Sequence, residues 1–406
     1  MSRLQPRLRL DVTGRDVLAG CAHAVASPAS HLSRITEGFG GTDDALVALS
    51  VRSAFDALLT EVDWPIGSEV MVTALTIPDM PRIIRHHGYV PVPVDVDLDT
   101  LAPSLQALRT AVTPRTVAWL HAHLFGTRTD LRPATAMLGL LGIAVIEDCA
   151  QAYTGRDFAG TPGVAVSMFS FGTIKTATAT GGAVVRVRDD AFRARVATRL
   201  RSWPQESGPS RLRKIVKTGG LLCLARPRVY SCVTAHLRNI GKDPDAWVHA
   251  SARGFPHDDF FAAIRHRPSP ALLALLDRRL HQDTAARIVA RREVGELLRG
   301  CLPSSMRLLG RSCPIRTHWV FPVVCEDPIG LREALHAAGF DATSRSSLVV
   351  VTAADGTAPP NSTTALARIV YVPLPPRDDA NAIGRLALTL SRVAPTATAD
   401  LHALAA

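Results

Sequence analysis

Short apolar runs alternate with amphipathic stretches between about residues 45 and 190. Seven runs rich in β-branched and aliphatic residues predict strands, at Ala45–Ser50, Glu69–Thr73, Val90–Val94, Val117–His121, Ala144–Ile146, Ala165–Phe171 and Gly182–Arg186. Stretches with helical periodicity lie between them, at Ala54–Glu61, Pro81–His87, Leu105–Val112 and Pro133–Leu141. This alternation is typical of βαβ units, so the pattern predicts a mainly parallel sheet in an α/β domain.

The pattern changes after residue 190. Residues 191–261 are basic and interrupted by prolines, and periodicity returns at Pro270–Leu298, which predicts one long helix. Beyond it, strands and helices of a smaller α+β module are predicted at Trp319–Cys325, Gly330–Ala338, Ile369–Pro373 and Asp379–Val393. We therefore predict a large domain over residues 1–265, with a basic insertion at about 199–245. The linking helix and a small C-terminal domain fill residues 266–406.

The positive charge is concentrated in one segment. The chain has 406 residues, 47% hydrophobic and 20% charged, which favours a compact globular protein with a net charge of +10. From Arg199 to Lys242, ten Arg or Lys residues are opposed only by Glu206. Residues 211–238 mix cations with apolar residues, so contact with a membrane surface, a lid over an anionic substrate and a solvated insertion all remain open. Membrane contact is not favoured because Pro227 interrupts the segment.

Few other partners fit this composition. Nucleic-acid binding is not expected, because aromatic residues for base stacking are nearly absent from the basic segment. The seven cysteines are scattered without a CxxC pair and indicate reduced thiols in a cytoplasmic enzyme. Residues 1–15 lack the continuous apolar stretch of a secretory leader. The closely spaced histidines lack a third ligand nearby, so no metal site is expected.

An aspartate and a lysine follow two predicted strands. Asp148 ends an apolar strand, and Lys175 lies on the loop beyond the next one. Chemistry with pyridoxal phosphate (PLP) needs such a pair, since the carboxylate keeps the pyridine nitrogen protonated while the lysine binds the cofactor covalently and moves protons. Partial desolvation lowers the pKa of such a lysine, which favours its free amine near neutral pH. Gly181 and Gly182 allow a tight turn beside it.

Three linked motifs identify a family resemblance. They are Glu147-Asp148-Cys149-Ala150-Gln151, Ser170 five residues before Lys175, and Asp95-Val96-Asp97 followed by His123-Leu124-Phe125-Gly126. From about Gly38 to Gly182 the chain resembles the DegT/StrS group of PLP-dependent sugar aminotransferases, and it does so more weakly at Arg267–Leu280, His318–Pro322 and Val372–Pro375. The resemblance implies fold type I of the PLP-dependent transferases, with a seven-stranded, mainly parallel sheet. It also implies a homodimer that moves an amino group from an amino-acid donor to an anionic keto-sugar, commonly nucleotide-linked.

The resemblance also implies roles for single residues. Asp148 would hold the pyridine nitrogen, Gln151 would lie beside the ring, Ser170 would bind the phosphate and Lys175 would carry the cofactor. Arg52 and Ser53 begin a predicted helix where the family has a Ser-Gly-Thr-Ala turn, and a helix N-terminus with an arginine is a suitable phosphate cradle. The alternative for Ser53 is a plain helix N-cap.

The chain departs from the family at several positions. Ile77 stands where an aromatic ring usually covers the cofactor. Arg265-His266-Arg267 replaces the Asn-Tyr-Arg segment that reaches across the dimer, so Arg265 or Arg267 would be the residue donated to the partner, and Arg267 is also a candidate for substrate binding. Arg345 occupies a position where relatives often have a substrate-side histidine, and His318 matches a family position. A surface arginine and a packed histidine are the alternatives for these two.

Three functions remain open from the sequence. Transamination fits the motifs best. Another PLP-dependent reaction on the same scaffold is the first alternative, although the family's dehydratases replace the lysine with histidine and this chain keeps Lys175. A non-catalytic regulatory or interaction protein is the second, and the retention of both Asp148 and Lys175 argues against it.

Overall fold

A computed structural model describes residues 4–25, 31–37, 39, 44–155, 157–251, 255 and 259–392. Gly38, where the family resemblance begins, lies outside these residues. The helices are α1 (Gly14–Val25), α2 (His31–Glu37), α3 (Val51–Glu61), α4 (Asp79–His86), α5 (Leu105–Ala111), α6 (Arg132–Gly139), α7 (Asp190–Ser202), α8 (Gly208–Leu224), α9 (Pro227–Asn239), α10 (Pro244–Ser251), α11 (Phe260–Ile264), α12 (Pro270–Leu280), α13 (Ala285–Gly300), α14 (Pro328–Ala337), α15 (Pro360–Arg368) and α16 (Ala380–Arg392). The strands are β1 (Ala45–Ala48), β2 (Glu69–Thr73), β3 (Leu75–Thr76), β4 (Val90–Val94), β5 (Thr116–Ala122), β6 (Thr127–Arg128), β7 (Ala144–Asp148), β8 (Val166–Ser170), β9 (Ala183–Val187), β10 (Arg307–Leu308), β11 (Ile315–Arg316), β12 (Phe321–Val324), β13 (Val349–Val350) and β14 (Ile369–Val372).

A seven-stranded sheet forms the centre of the large α/β unit. Its strand order is β1-β9-β8-β7-β5-β2-β4. Strands β4, β2, β5, β7 and β8 run parallel, while β9 is antiparallel to both of its neighbours. The predicted mainly parallel sheet is therefore confirmed, and every strand predicted before residue 190 overlaps an observed strand. Because Ala122, Asp148 and Met168 are aligned across β5, β7 and β8, the residues after these strands meet at one edge of the sheet.

Both faces of this sheet are covered by helices. On one face, Val70 and Val72 of β2 pack into a core with residues of α3, α4 and α7. On the other face, Met71 of the same strand packs with residues of α5 and α6. Successive side chains of a strand point to opposite faces, so a strand buried on both sides is apolar throughout. This explains why the parallel strands appear in the sequence as continuous apolar runs.

A second, smaller sheet lies in the C-terminal part of the chain. Strands β10, β12 and β14 are antiparallel and pack with α13, α14 and α16 around their own apolar cluster. This agrees with the predicted small α+β module. The domain boundary at residue 265 stays a prediction.

The predicted long helix over Pro270–Leu298 is wrong in one respect. Two helices, α12 and α13, occupy this stretch, and residues 281–284 separate them. Asp283 accepts a hydrogen bond from the backbone N–H of Ala285 at 2.7 Å. Aspartate competes in this way with the helical hydrogen-bond pattern, so it begins a new helix where no glycine or proline marks a break.

Three prolines of the basic segment lie at the start of helices. Pro209, Pro227 and Pro244 each lie in the first turn of α8, α9 or α10, where the absent proline N–H costs no hydrogen bond. The segment has a buried face as well as a charged one, since Ile215, Leu221 and Arg211 are buried. In the part of the chain that the structure describes, no helix is long and apolar enough to cross a bilayer.

Candidate active site

Asp148, Lys175 and Arg52 lie near one another where the parallel strands end, and this position at the carboxyl edge of the sheet is called the cleft. Asp148 is the last residue of β7, and Lys175 lies on the loop after β8. The charge of each residue affects the pKa of the other, and the charge of Arg52 affects both. The structure therefore brings together three residues that are far apart in the sequence and that the sequence analysis assigned to one site.

Burial dominates the environment of Asp148. Its relative exposure is 8%, and Oδ1 accepts a hydrogen bond from the N–H of Ala150 at 2.8 Å. Burial raises the pKa of the carboxyl group, while the Ala150 bond and the charges of Lys175 and Arg52 oppose that rise. A cationic group placed beside Asp148 would therefore stabilise a carboxylate that otherwise has too little solvation.

Lys175 has the properties of a reactive amine. Its pKa is lowered from the ordinary value of 10.5 to about 8, mainly by burial, while the charge of Asp148 opposes the shift and the charge of Arg52 contributes to it. Its Nζ lies 4.4 Å from the centre of the Trp319 ring, within the range of a cation–π contact. A neutral amine is the nucleophilic form, and a pKa near 8 leaves a substantial fraction of it at neutral pH.

The loop around Lys175 has a strained backbone. Ala177 and Thr180 have φ angles of 53° and 61°, in the left-handed region that costs a non-glycine residue about 1 kcal/mol or more. Gly181 and Gly182 also have positive φ angles, of 150° and 91°. The tight turn expected of this glycine pair is therefore present, and other contacts must hold the two non-glycine residues in place.

Four side chains from distant segments hold the loop around Lys175, called the lysine loop: Asp11, Arg211, Arg279 and Trp319. Ala177 N–H donates to Asp11 Oδ2 at 2.6 Å. Arg279 Nε donates to the carbonyl of Thr178 at 3.0 Å. The fully buried Arg211 on α8 donates to the carbonyls of Ala179 and Thr180. The basic insertion thus contacts and stabilises the lysine loop through one buried arginine, Arg211.

The N-terminus of α3 lies at the same cleft. Ser50 is its N-cap, since Ser50 Oγ accepts from Ser53 N–H at 3.1 Å, so the alternative of Ser53 as the N-cap is wrong. Ser53 is buried in the first turn, and Arg52 forms an ion pair with Asp79. The first N–H groups of a helix have no intrahelical acceptor, so this terminus offers donors to an anion.

Three further predicted cofactor residues lie on the loops and strands at this edge. Gln151 Oε1 accepts from the N–H of Phe125 at 2.7 Å, which fixes the side chain. Ser170 Oγ accepts from Gly172 N–H at 3.4 Å and remains partly exposed. Ile77 is partly exposed beside the apolar core. Their roles toward the cofactor stay predictions.

Two of the three predicted substrate residues have side chains engaged elsewhere in the described part of the chain. His318 is buried, and its Nε2 lies 3.0 Å from Glu296 Oε1 on α13. Arg345 forms ion pairs with Asp243 and Asp245 of the insertion, at 2.7 and 3.2 Å. Arg267 is exposed and pairs through its backbone with Gln205. None of the three contacts Lys175 or Asp148 within this chain.

One group of metal-ligand residue types is present among the described residues. His123, Glu147 and Cys149 have ligand atoms within 4.8 Å of one another. The Glu147 carboxylate already accepts from Thr161 N–H at 2.6 Å and from Ser167 Oγ at 2.5 Å, and His123 Nε2 lies 3.1 Å from it. Burial raises the pKa of the Cys149 thiol, so it stays protonated at neutral pH. These donors form a hydrogen-bonded network, and we assign no metal to it.

The residues of the cleft fit a bound PLP. Among the described residues, no hydrogen-bond donor reaches the second oxygen of Asp148, which is available to a ring nitrogen. The Lys175 amine has a lowered pKa, and a helix N-terminus with an arginine borders the same cleft. The Asp148 carboxylate can pair with the pyridinium of PLP, and the Lys175 amine can attack its aldehyde. The helix N-terminus and Arg52 can donate hydrogen bonds to its phosphate.

Comparison with known proteins agrees with this geometry. The model of the DegT/DnrJ/EryC1/StrS aminotransferase family matches residues 31–213. Over these residues the chain is similar to that family. The matched range includes Arg52, Asp148 and Lys175.

Solved structures share its fold over almost the whole chain. The aminotransferase TlmJ from Streptoalloteichus hindustanus is 17% identical, with a TM-score of 0.67 over 96% of this chain and 99% of that one. The sugar aminotransferase CalS13 from Micromonospora echinospora is 18% identical, with a TM-score of 0.68 over the same shares. E. coli GDP-4-keto-6-deoxy-D-mannose-3-dehydratase, solved with hydrated PLP, is 15% identical, with a TM-score of 0.67 over 95% and 99%. The fold therefore accommodates both transamination and dehydration.

Proposed function

We propose that the protein is a PLP-dependent aminotransferase that moves an amino group from an amino-acid donor to a keto-sugar or a related carbonyl compound. The observation that carries this proposal is the pair formed by a buried Asp148 and a Lys175 amine with a pKa near 8 in one cleft. The family match supports the reaction type. The similar protein CalS13 is described as a sugar aminotransferase, which supports a sugar as the amino acceptor. An anionic, nucleotide-linked sugar also suits a chain with a net charge of +10.

Each cleft residue has a distinct task in this proposal. When bound, PLP supplies an electron sink and carries the amino group between donor and acceptor. Asp148 pairs with the ring nitrogen and keeps it protonated. Arg52, Ser53 and the first turn of α3 bind the phosphate, together with Ser170 from β8. Gln151 and Ile77 contact the ring.

Lys175 holds and moves protons in this scheme. Its amine would hold the cofactor, and when free it would take a proton from the α-carbon of the donor and give it to the carbon on the other side of the transferred nitrogen. The lowered pKa of Lys175 lets the amine accept a proton near neutral pH. Lys175 also discriminates between the candidate reactions, because a dehydratase of this family has histidine at the same position.

Absorbance spectroscopy separates the three functions. The purified protein, incubated with PLP, should show a visible absorption band that shifts on addition of glutamate and is restored by a keto acid. A visible band without a shift would favour another PLP reaction, and the absence of any band would favour a non-catalytic protein. Borohydride reduction followed by peptide mapping should place the adduct on Lys175, and Lys175→Arg should give none. A label on another lysine would contradict the proposal.

The assembly and location follow from the same proposal. We propose a cytoplasmic homodimer with an active site at each subunit interface, because closed two-fold assemblies are the commonest and relatives complete their site from a neighbouring chain. Arg265 is bound within its own chain to Asp56, whereas Arg267 is exposed. Arg267 is therefore the residue of this segment that we assign to the partner's active site.

A further inference from the structure

Trp319 contacts both the side chain and the backbone of the lysine loop. The centre of its ring lies 4.4 Å from Lys175 Nζ, and its indole Nε1–H donates to the carbonyl of Ile174 at 3.0 Å. Among the described residues, Lys175 Nζ has no hydrogen-bond partner, and its contact with the Trp319 ring is the direct side-chain contact of the amine that the structure defines. A single side chain thus touches the reactive amine and fixes the preceding peptide group.

The segment that carries Trp319 is itself firmly held. Thr317 N–H donates to the carbonyl of Gly126 at 2.8 Å, and Arg291 Nε donates to the carbonyl of Thr317 at 2.7 Å. His318 has a φ of 47°, and its ring binds Glu296. A non-glycine residue keeps such a backbone angle only where its surroundings fix it. His318 therefore anchors the turn to α13, while Trp319 reaches the lysine loop.

Two glycines make room for this arrangement. A Cβ at Gly295 on α13 would lie 2.3 Å from the His318 ring. A Cβ at Gly126 would lie 2.7 Å from the backbone nitrogen and the Cβ of Trp319, and Gly126 has a φ of 84°. Gly126 ends the turn whose Phe125 N–H binds Gln151. Trp319 is thus packed between the lysine loop and the turn that positions Gln151.

We infer that Trp319 is a positioning residue for Lys175, its ring seating the amine and its indole N–H fixing the loop that presents the amine to the cleft. The inference rests on the proposed function, because that function gives the Lys175 amine its reactive role. The contacts themselves do not depend on a cofactor. The ring would favour the protonated amine and the N–H would restrain the backbone, so the two contributions are separable by substitution. The segment just before β12 of the small sheet then sets the geometry of the reactive lysine, which lies on the loop after β8 of the large sheet.

The test measures how the reactivity of the Lys175 amine depends on pH in the full chain. Hydroxylamine treatment and dialysis first remove any bound PLP. Competitive acetylation with mass spectrometry gives the pH at which half of Lys175 is reactive. In Trp319→Leu this midpoint should fall by about half a pH unit, which corresponds to the usual strength of a cation–π contact. In Trp319→Phe, which retains a ring, the midpoint should fall by less. Hydrogen exchange of peptides over residues 172–182 should be several times faster in both variants, because both lack the indole N–H.

The control is Trp247→Leu, since Trp247 is an exposed tryptophan on α10. It should change neither the midpoint nor the exchange of residues 172–182. If Trp319→Leu has the parent midpoint, or Trp319→Phe has the parent exchange rate, the inference is wrong. Should the leucine variant fail to fold, the phenylalanine variant decides through hydrogen exchange. Because labelling needs no cofactor, failure of PLP to bind would overturn the proposed function and leave this result unaffected.

Discussion

Arg265 donates two hydrogen bonds to the buried carboxylate of Asp56, at 2.8 and 3.0 Å. His87 Nε2 lies 2.9 Å from the same group. Removing the arginine leaves a buried charge with a weaker set of partners. Arg265→Ala should therefore lower the free energy of unfolding by about 2 kcal/mol, less than for a wholly buried pair because His87 remains. Urea denaturation measures this, and the exposed neighbour substitution Arg267→Ala should change stability little.

The same pair makes stability depend on acid. Burial raises the pKa of Asp56, but hydrogen bonds from His87 and Arg265 outweigh it, so the net shift is downward. A carboxyl group with a lowered pKa contributes stability above its unfolded pKa of about 3.9, and that contribution disappears as the pH falls through the lower folded value. The stability difference between parent and Arg265→Ala should therefore shrink below about pH 4. A difference that grew with acid would contradict the assignment.

Asp148→Asn tests the role of the buried carboxylate. The variant should fold and still attach PLP at Lys175, because a pyridine ring can lose its proton and avoid an unpaired charge. Its reaction with an amino donor should slow about a hundredfold or more, since ~2.7 kcal/mol of lost stabilisation corresponds to that factor. Stopped-flow absorbance on mixing with glutamate measures the rate. A variant as fast as the parent would show that Asp148 does not pair with the ring nitrogen.

Lys175 should make the cofactor-free chain more stable in base. Its pKa falls from 10.5 to about 8 on folding. Between these values the unfolded amine is protonated and the folded amine is not, so the unfolded state binds more protons and the free energy of unfolding rises with pH. The free energy of unfolding of the parent minus that of Lys175→Met should increase from pH 7.5 to pH 10. The exposed substitution Lys242→Met is the control, and an unchanged difference for Lys175→Met would refute the shift.

Arg211 is the residue through which the basic insertion should affect the site. Arg211→Met leaves the carbonyls of Ala179 and Thr180 without their donor, and buried carbonyls without partners cost about 1–3 kcal/mol each. The variant should unfold at lower urea concentration and bind PLP more weakly. Arg213→Met, an exposed change two residues away, should do neither. Equal effects of the two substitutions would assign the insertion's influence to charge rather than to this contact.

Sedimentation or light scattering tests the assembly. We expect a dimer at micromolar concentration, and Arg267→Ala should weaken catalysis while leaving the dimer intact, if the residue reaches the neighbouring site. A monomer that still retained PLP and full activity would contradict the shared active site.

The sequence predicted the large sheet well because its central parallel strands are buried on both faces and appear as mainly apolar runs, as in Glu69–Thr73, where every residue is buried. Asp148 and Lys175 were found because their chemistry is specific. The break at residues 281–284 was missed because it contains neither glycine nor proline. Proline positions were taken as interruptions because a proline in the first helical turn and a proline in a loop look alike in sequence.

The cleft's supporting residues were harder to predict for a different reason. His318 was chosen as a substrate residue and the adjacent Trp319 was not, although only Trp319 touches Lys175. Which of two neighbours faces the cleft depends on the backbone of His318, whose φ of 47° no sequence pattern indicates. The sequence shows that a tryptophan is present in this segment, but not the direction in which its side chain points. Arg211 likewise looked like one more surface cation of a basic segment.

The lysine loop is tied by contacts that join remote parts of the chain. The hydrogen bond of Asp11 with Ala177 joins residues that are 166 positions apart in the sequence. The separation is 145 positions for Trp319 with Ile174 and 101 positions for Arg279 with Thr178. Closing loops of this length is slow, so such contacts form late in folding. On the ribosome, the central strands can pair as soon as residues 45–187 have emerged, yet Lys175 lacks its indole neighbour until residue 319 has been made. The catalytic geometry would therefore be among the last features to form, and PLP would meet a finished lysine loop only after synthesis of the segment just before β12.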